Sequence, residues 1–287
     1  ANLTIGRGGS PINGANSADV IVTTAGASIV LVYVDATQGW VATQDDESTF
    51  AGESFVVATG GSIVTCGNDK IHTFTGPGTF AVSQAASQAT NNQVSYLIVA
   101  GGGGAGHSYP TSNSGGGGGA GGYREVKNPI NPFTASPLDG FSTPANVITL
   151  TATSFPITVG GGGAGATPSA AGAPGGNSIF STITSAGGGK GGHRGPGGHS
   201  PEPAGTGGSG GGGAGGTATP GSWGDGAAGN TPSTSPAQGK DGGDNQRIGA
   251  GSGPDNPGGG GGGATAVGQN GSASPCAGGA GGAGATT

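Results

Sequence analysis

The sequence predicts an all-β protein with an irregular glycine-rich part. It should hold a small N-terminal β module, a β-sandwich-like module and a bundle of short polyglycine-II helices, with little or no α-helix. Three observations carry this. Of 287 residues, 73 are Gly and 19 are Pro. The glycines are unevenly spread, twelve in residues 1–100 and the other 61 beyond. Outside the Gly runs, apolar residues come in short β-branched stretches and not at helical spacing. Charged residues make up 8% of the chain, aromatics 5%, and Met is absent. An ordinary globular domain has roughly 25% charged residues and about 7% Gly, so this is not the composition of a typical soluble enzyme. No segment reads as a signal peptide, and none offers the ~20 apolar residues of a membrane span. Ala1 follows a removed initiator or begins a piece of a longer chain.

In chain order, residues 19–24, 28–34, 53–59 and 62–65 are rich in Val, Ile, Thr and Phe and are punctuated by Gly, Asn, Asp and Pro. That is the pattern of short strands joined by tight turns. Residues 71–75 and 79–82 flank Gly76-Pro77-Gly78 and predict a hairpin. Residues 1–44 form the N-terminal module and 45–287 the glycine-rich domain, with strands within 53–100 and 123–186 and rods and loops within 101–122 and 160–287. Three apolar stretches, 146–153, 155–159 and 177–185, should return to pair with upstream strands. The main Gly runs are 101–106, 115–122, 160–165, 187–192, 207–216, 258–263 and 278–284.

Loose coil is the ordinary reading of such composition, but the recurrence of the runs favours an ordered form. Collagen needs Gly at every third residue over long tracts, and 231–238 breaks any such register. Polyglycine II remains. It has three residues per turn, rises about 3.1 Å per residue and makes no internal hydrogen bonds. Every N–H and C=O must therefore find a partner outside the rod, and only Gly lets neighbours approach on all sides. Ordering a residue costs ~1–2 kcal/mol, and Gly loses the most freedom. Hydrogen bonds worth ~0.5–1.5 kcal/mol each are the main offset. Rods must therefore pack side by side, anchored on a β module with a real core.

Residues 58–104, from Ala58-Thr59-Gly60-Gly61 through Ile71-His72-Thr73-Phe74-Thr75-Gly76-Pro77-Gly78 to Tyr96-Leu97-Ile98-Val99-Ala100 and its glycines, resemble the glycine-rich domain of bacteriophage tail-fibre and receptor-binding proteins. Ile157-Thr158-Val159 with Gly160–Gly163, and Gly175-Gly176-Asn177-Ser178-Ile179-Phe180, continue the pattern. Leu3-Thr4-Ile5 through Trp40 is similar to a β module that precedes such domains. The resemblance implies a non-enzymatic adhesin in the virion, at the tip of an extracellular tail fibre. It implies a homotrimer joined to an upstream fibre segment, with loops that contact a host surface glycan or outer-membrane protein. It supplies no catalytic residue, cofactor or metal. A self-assembling extracellular filament or surface-coat protein is the alternative. Ice binding would demand regular Thr or Ala rows, which the long irregular loops lack.

Other motifs dissolve on inspection. Gly101, Gly103 and Gly106 after 96–100 satisfy G-x-G-x-x-G, but a dinucleotide site needs a helix there, and His107-Ser108-Tyr109-Pro110 cannot open one. His193 and His199, six residues apart in a Gly/Pro loop, lack the spacing of metal ligands on a rigid element. His72, beside Phe74 in an apolar alternation, reads as an ordinary sheet histidine. A net charge of −6 argues against nucleic acid. Cys66 and Cys276 fit no metal or redox spacing.

If each Gly run crosses the bundle once, turns alternate between its two ends. Residues 107–114, 166–171, 193–206, 244–248 and 264–275 then fall far from the strands. Residues 217–238 and 254–257, with Trp223, fall near them, and 207–216 runs back toward the strands. This puts His107, Tyr109, His193, Arg194, His199, Arg247, Gln269 and Asn270 on one distal, receptor-binding face. Planar polar groups and aromatic rings there suit glycan or protein recognition.

Overall fold

A computed structural model describes residues 3–12, 19–22, 29–44, 54–108, 114–168, 170–193, 202–215, 224–246 and 256–286. The chain is all-β, with only two 3-10 turns, Ala89–Asn92 and Pro144–Asn146, among the described residues. It divides into two compact units.

The first unit holds Ala1–Ala58, Val82–Gln93 and Leu150–Thr153. Strand β1 (Leu3–Ile5) pairs antiparallel with β2 (Val20–Val22). Strands β3 (Val30–Asp35) and β4 (Gly39–Gln44) form a hairpin with Tyr33 opposite Trp40, their rings edge-on at 5.4 Å. The Asp35 carboxylate closes the turn by accepting the N–H groups of Thr37 and Gln38 at 2.7 and 2.6 Å. Gly39 sits at φ +68°, where an added Cβ would stand 1.8 Å from the Pro11 carbonyl oxygen. Asn92 is buried, accepting the Ala86 N–H and donating to the Ala86 carbonyl. Strand β5 (Val57–Thr59) follows.

The second unit holds Thr59–Ala81, Val94–Thr149 and Ser154–Thr287. Strands β6 (Ser62–Cys66) and β7 (Asp69–Thr73) pair around Gly67-Asn68, a two-residue turn of the hairpin kind. The hairpin expected around Gly76-Pro77-Gly78 does not form. Strand β8 (Gly78–Gln84) pairs instead with β11 (Ser154–Thr158), Phe80 opposite Phe155. The reason is the Phe74 ring, which lies so close over Gly60, Gly61 and Gly78 that a Cβ on any of them would come within 3.3 Å of it. That packing makes 76–78 a corner.

Strands β9 (Tyr96–Val99) and β10 (Tyr123–Val126) pair antiparallel. Strands β12 (Ser178–Phe180) and β13 (Ile183–Ser185) complete a sheet in the order β13-β12-β11-β8-β5. The expected returns of 155–159 and 177–185 are therefore made by β11 and β12. A small hairpin, β14 (Ser272–Ala273) and β15 (Cys276–Ala277), lies near the end of the chain. The side-chain core gathers on Phe180, whose ring meets those of Phe80, Phe155 and Tyr96 at 6.0, 6.0 and 6.1 Å. Tyr96 donates its hydroxyl to the Asn146 carbonyl. Burial pushes its pKa up to about 12, against the pull of Arg124.

The glycine runs build a second kind of core, from main chain alone. In rod 100–106 the N–H groups of Ala100, Gly103 and Gly106 donate to Gly122, Gly119 and Gly116. Those of Gly101 and Gly104 donate to Gly176 and Ala173, while their carbonyls accept from Gly188 and Gly191. Each neighbour is met again after three residues, the period of a polyproline-II-type helix. The same bonds trace two rows. One runs 160–166, 100–106, 115–122, 256–263, 266–271; the other runs 172–176, 187–193, 207–215, 239–246. Rods 202–206 and 224–230 lie against the second row and 278–285 against the first.

Rod 207–215 is buried along its whole length. A Cβ on its Gly212 would stand 2.1 Å from the Gly259 oxygen, so side-chain atoms are excluded by backbone that cannot yield. Ser209 is accommodated because its hydroxyl donates to the Gly263 carbonyl at 3.0 Å. At the bundle edge, a Cβ on Gly281 would meet only the Gly261 oxygen at 3.8 Å. Where rod 224–230 lacks a further rod, side chains supply acceptors. Asp241 takes the Gly229 N–H and Asp244 the Gly226 N–H, both at 2.8 Å.

Candidate functional site

The rods grow directly out of the strands, which gives the bundle a strand end and a distal end. Strand β9 runs into 100–106, β11 into 160–166 and β13 into 187–193, while 115–122 enters β10 and 172–176 enters β12. The strand end is plugged by Gln238, fully buried. It accepts the Ala186 N–H, donates to the Pro232 carbonyl and takes the Tyr123 N–H on its own carbonyl.

The alternation of turns holds as far as His193 and then departs from expectation. Glu202 pairs with His193 in both directions, and the Gly205 N–H donates to Lys190. Residues 202–206 are therefore a returning rod and not part of a loop. Rod 207–215 consequently runs away from the strands, parallel to 187–193, with Gly208 bonded to Gly187 and Gly192 to Gly212. Residues 224–230 return, Ala227 donating to Gly211 and Asn230 to Gly208. Of the described part of the stretch 217–238, residues 224–229 run along the bundle and 230–238 lies near the strands. The two extra crossings cancel, so 244–246 is distal as expected. The Gln246 N–H donates to Pro257, however, so 256–257 is distal too. Ala264–Ala266 turns at the strand end, Gly263 donating to Ala266.

Of the residues expected on one distal face, His107 and His193 meet there. Their rings are edge-on at 6.2 Å, and the His107 N–H donates to His193 Nδ1 at 3.3 Å. Gln269 lies part-way along rod 266–271, its carbonyl accepting from Gly260. Asn270 lies on the same rod, its side-chain oxygen taking the Asp244 N–H at 2.8 Å. Tyr109, Arg194, His199, Arg247 and Trp223 lie outside the described residues. An ion pair joins Lys190 and Glu202 beside His193. Pro203 and Ala204 suit the same helix as glycine, and the returning rod through them sets Glu202 level with His193, one turn along from Lys190.

Burial, with His107 and Lys190 nearby, lowers the His193 pKa below 6.5 against the pull of Glu202. The Lys190 ammonium lowers that of Glu202. Among the described residues no cluster of His, Cys, Asp or Glu could hold a metal ion, and no helix is long and apolar enough to cross a membrane. Cys66 and Cys276 are free and exposed.

The distal end collects the rod ends His107 and Ser114, Ala166 and Gly172, His193 and Glu202, Gly215 and Gly224, Gln246 and Asn256, and Gly271 and Gly278. The stretches of sequence between them are the non-repetitive ones. No curated protein and no solved structure matches the chain. A family model described as a glycine-rich domain matches residues 74–287, most of the sequence, and the chain belongs to that glycine-rich domain family.

Proposed function

We propose that this chain is the adhesive tip of a phage tail fibre, borne on the virion, whose distal segments bind a host-cell surface glycan or outer-membrane protein. The observation that carries the reading is the gathering, at one end of the bundle, of the rod ends that flank the non-repetitive segments. A bundle saturated through its main chain is a stiff support that leaves those segments free to vary. The resemblance of residues 58–104 to phage glycine-rich domains supplies the setting, a homotrimer continuing an upstream fibre. No catalysis or cofactor enters this function.

The test is adsorption of labelled protein to a panel of bacterial strains. Binding to particular strains, weakened by Tyr109→Ala or Arg194→Ala with the melting temperature unchanged, supports the reading. Failure to bind any strain, or binding indifferent to replacement of all distal segments, overturns it. One observation favours the filament alternative. The outermost rods leave open space around Gly161 and Gly284, where another glycine rod would fit. Filaments growing from the purified chain under negative stain would select that alternative; isolated monomers or trimers would select the tip.

A further inference from the structure

We propose that His193 is an acid-released latch joining the ends of rods 100–106 and 187–193, a device that rests on the adhesive reading for its purpose but not for its operation. His193 ends rod 187–193 and is 5% exposed. Its backbone is fixed by the two-way pairing with Glu202, so the ring has a defined place. Its Nδ1 accepts the N–H of His107, the residue at which rod 100–106 gives way to the next distal segment. An imidazole nitrogen that accepts is unprotonated, and in the neutral ring the proton then sits on Nε2. One added proton turns Nδ1 into a donor facing another donor. That bond between the two rod ends is lost, and the new charge stands beside the His107 ring.

The surroundings decide when this happens. From the neighbouring rods, His107 and Glu202 face the ring; Lys190, on its own rod, is paired with Glu202. The adjoining rods 115–122 and 207–215 carry no titratable side chain. Arg194 and His199 follow in the sequence, outside the described residues. Burial first, then the neighbouring His107 and Lys190, outweigh Glu202, so the folded-state pKa lies below the ordinary 6.5. The sign follows. Above pH 6.5 the ring is neutral, folded or unfolded, and the latch is closed. Below it the unfolded chain takes the proton first, so stability falls with pH until the folded-state pKa is passed and the latch opens.

Amide exchange of the full-length, isotopically labelled protein tests this, read at the His107 N–H between pH 7.5 and 4.5 and corrected for intrinsic rates. Protection should fall roughly tenfold or more, with a midpoint below 6.5 that coincides with the titration of the His193 ring. In His193→Gln, whose side-chain oxygen accepts at every pH, protection should stay level. A His193 ring that titrates without loss of His107 protection overturns the latch in the wild-type protein alone, whether or not the variant folds. The same fall in folded His193→Gln also overturns it. Adsorption to cells is read separately. Protein that binds no strain sinks the adhesive reading and leaves the latch standing; strain-specific binding with level His107 protection does the reverse.

Discussion

The sheet and the rod bundle of the second unit are held by different forces. Around Phe180, aromatic rings from several strands fill space, and the sheet derives its stability from apolar area removed from water. Along rod 207–215 there is almost no side chain to bury, and cohesion comes from N–H···O=C bonds shared with every adjoining rod. In the first region a missing group leaves a hole; in the second an added group finds no hole to enter. The two regions should therefore respond in opposite ways to side-chain size, and the following substitutions test that on the full chain by denaturant unfolding.

The largest loss is expected for Phe180→Ala, about 3–5 kcal/mol, because the cavity is ringed by Phe80, Phe155 and Tyr96. Gly212→Ala should cost about 3 kcal/mol although it adds only one methyl group, since that methyl meets the Gly259 carbonyl at 2.1 Å. A loss below about 0.5 kcal/mol would mean that the rods slide apart cheaply. Gln238→Ala, at the junction of the two regions, strips the buried Ala186 N–H of its acceptor and should cost about 2 kcal/mol. Gly281→Ala, with the same chemistry as the second variant but at the edge, should change stability by no more than about 0.5 kcal/mol in either direction. Equal losses for Gly212→Ala and Gly281→Ala would dissolve the distinction between interior and edge rods.

The contrast also explains what could be read in advance. The strand stretches announce themselves through Val, Ile and Phe, and interior rods such as 207–215 through unbroken Gly. An edge rod needs Gly only where it faces inward. In 202–206 a Cβ on Gly205 would come within 3.0 Å of the Lys190 nitrogen, while Glu202, Pro203 and Thr206 are exposed and keep their side chains. Such a rod looks like a loop in the sequence, so Gly runs alone do not reveal the crossings made by 202–206 and 224–230. His107 and His193 lie before the first such hidden rod, so the crossings that set their end of the bundle can be counted from Gly runs alone. The misplaced hairpin has another cause. Gly76-Pro77-Gly78 carries turn chemistry, but the packing of Phe74 over Gly60 and Gly61, far away in the chain, decides that it bends between sheets. Local signals do not report that contact.

The recurrence of each bond after three residues has a consequence for how such a chain can change. Ser209, Gly212 and Gly215 all donate to one neighbour, at Ala120, Gly117 and Ser114. Deleting a single residue among them would rotate everything downstream by a third of a revolution and aim those donors at the wrong rod. Deleting three shortens the rod by one turn, roughly 9 Å, and leaves its phase intact. The rods thus keep a reading frame of their own, in which length is inherited by triplets of residues, whereas the segments between them can drift by any number.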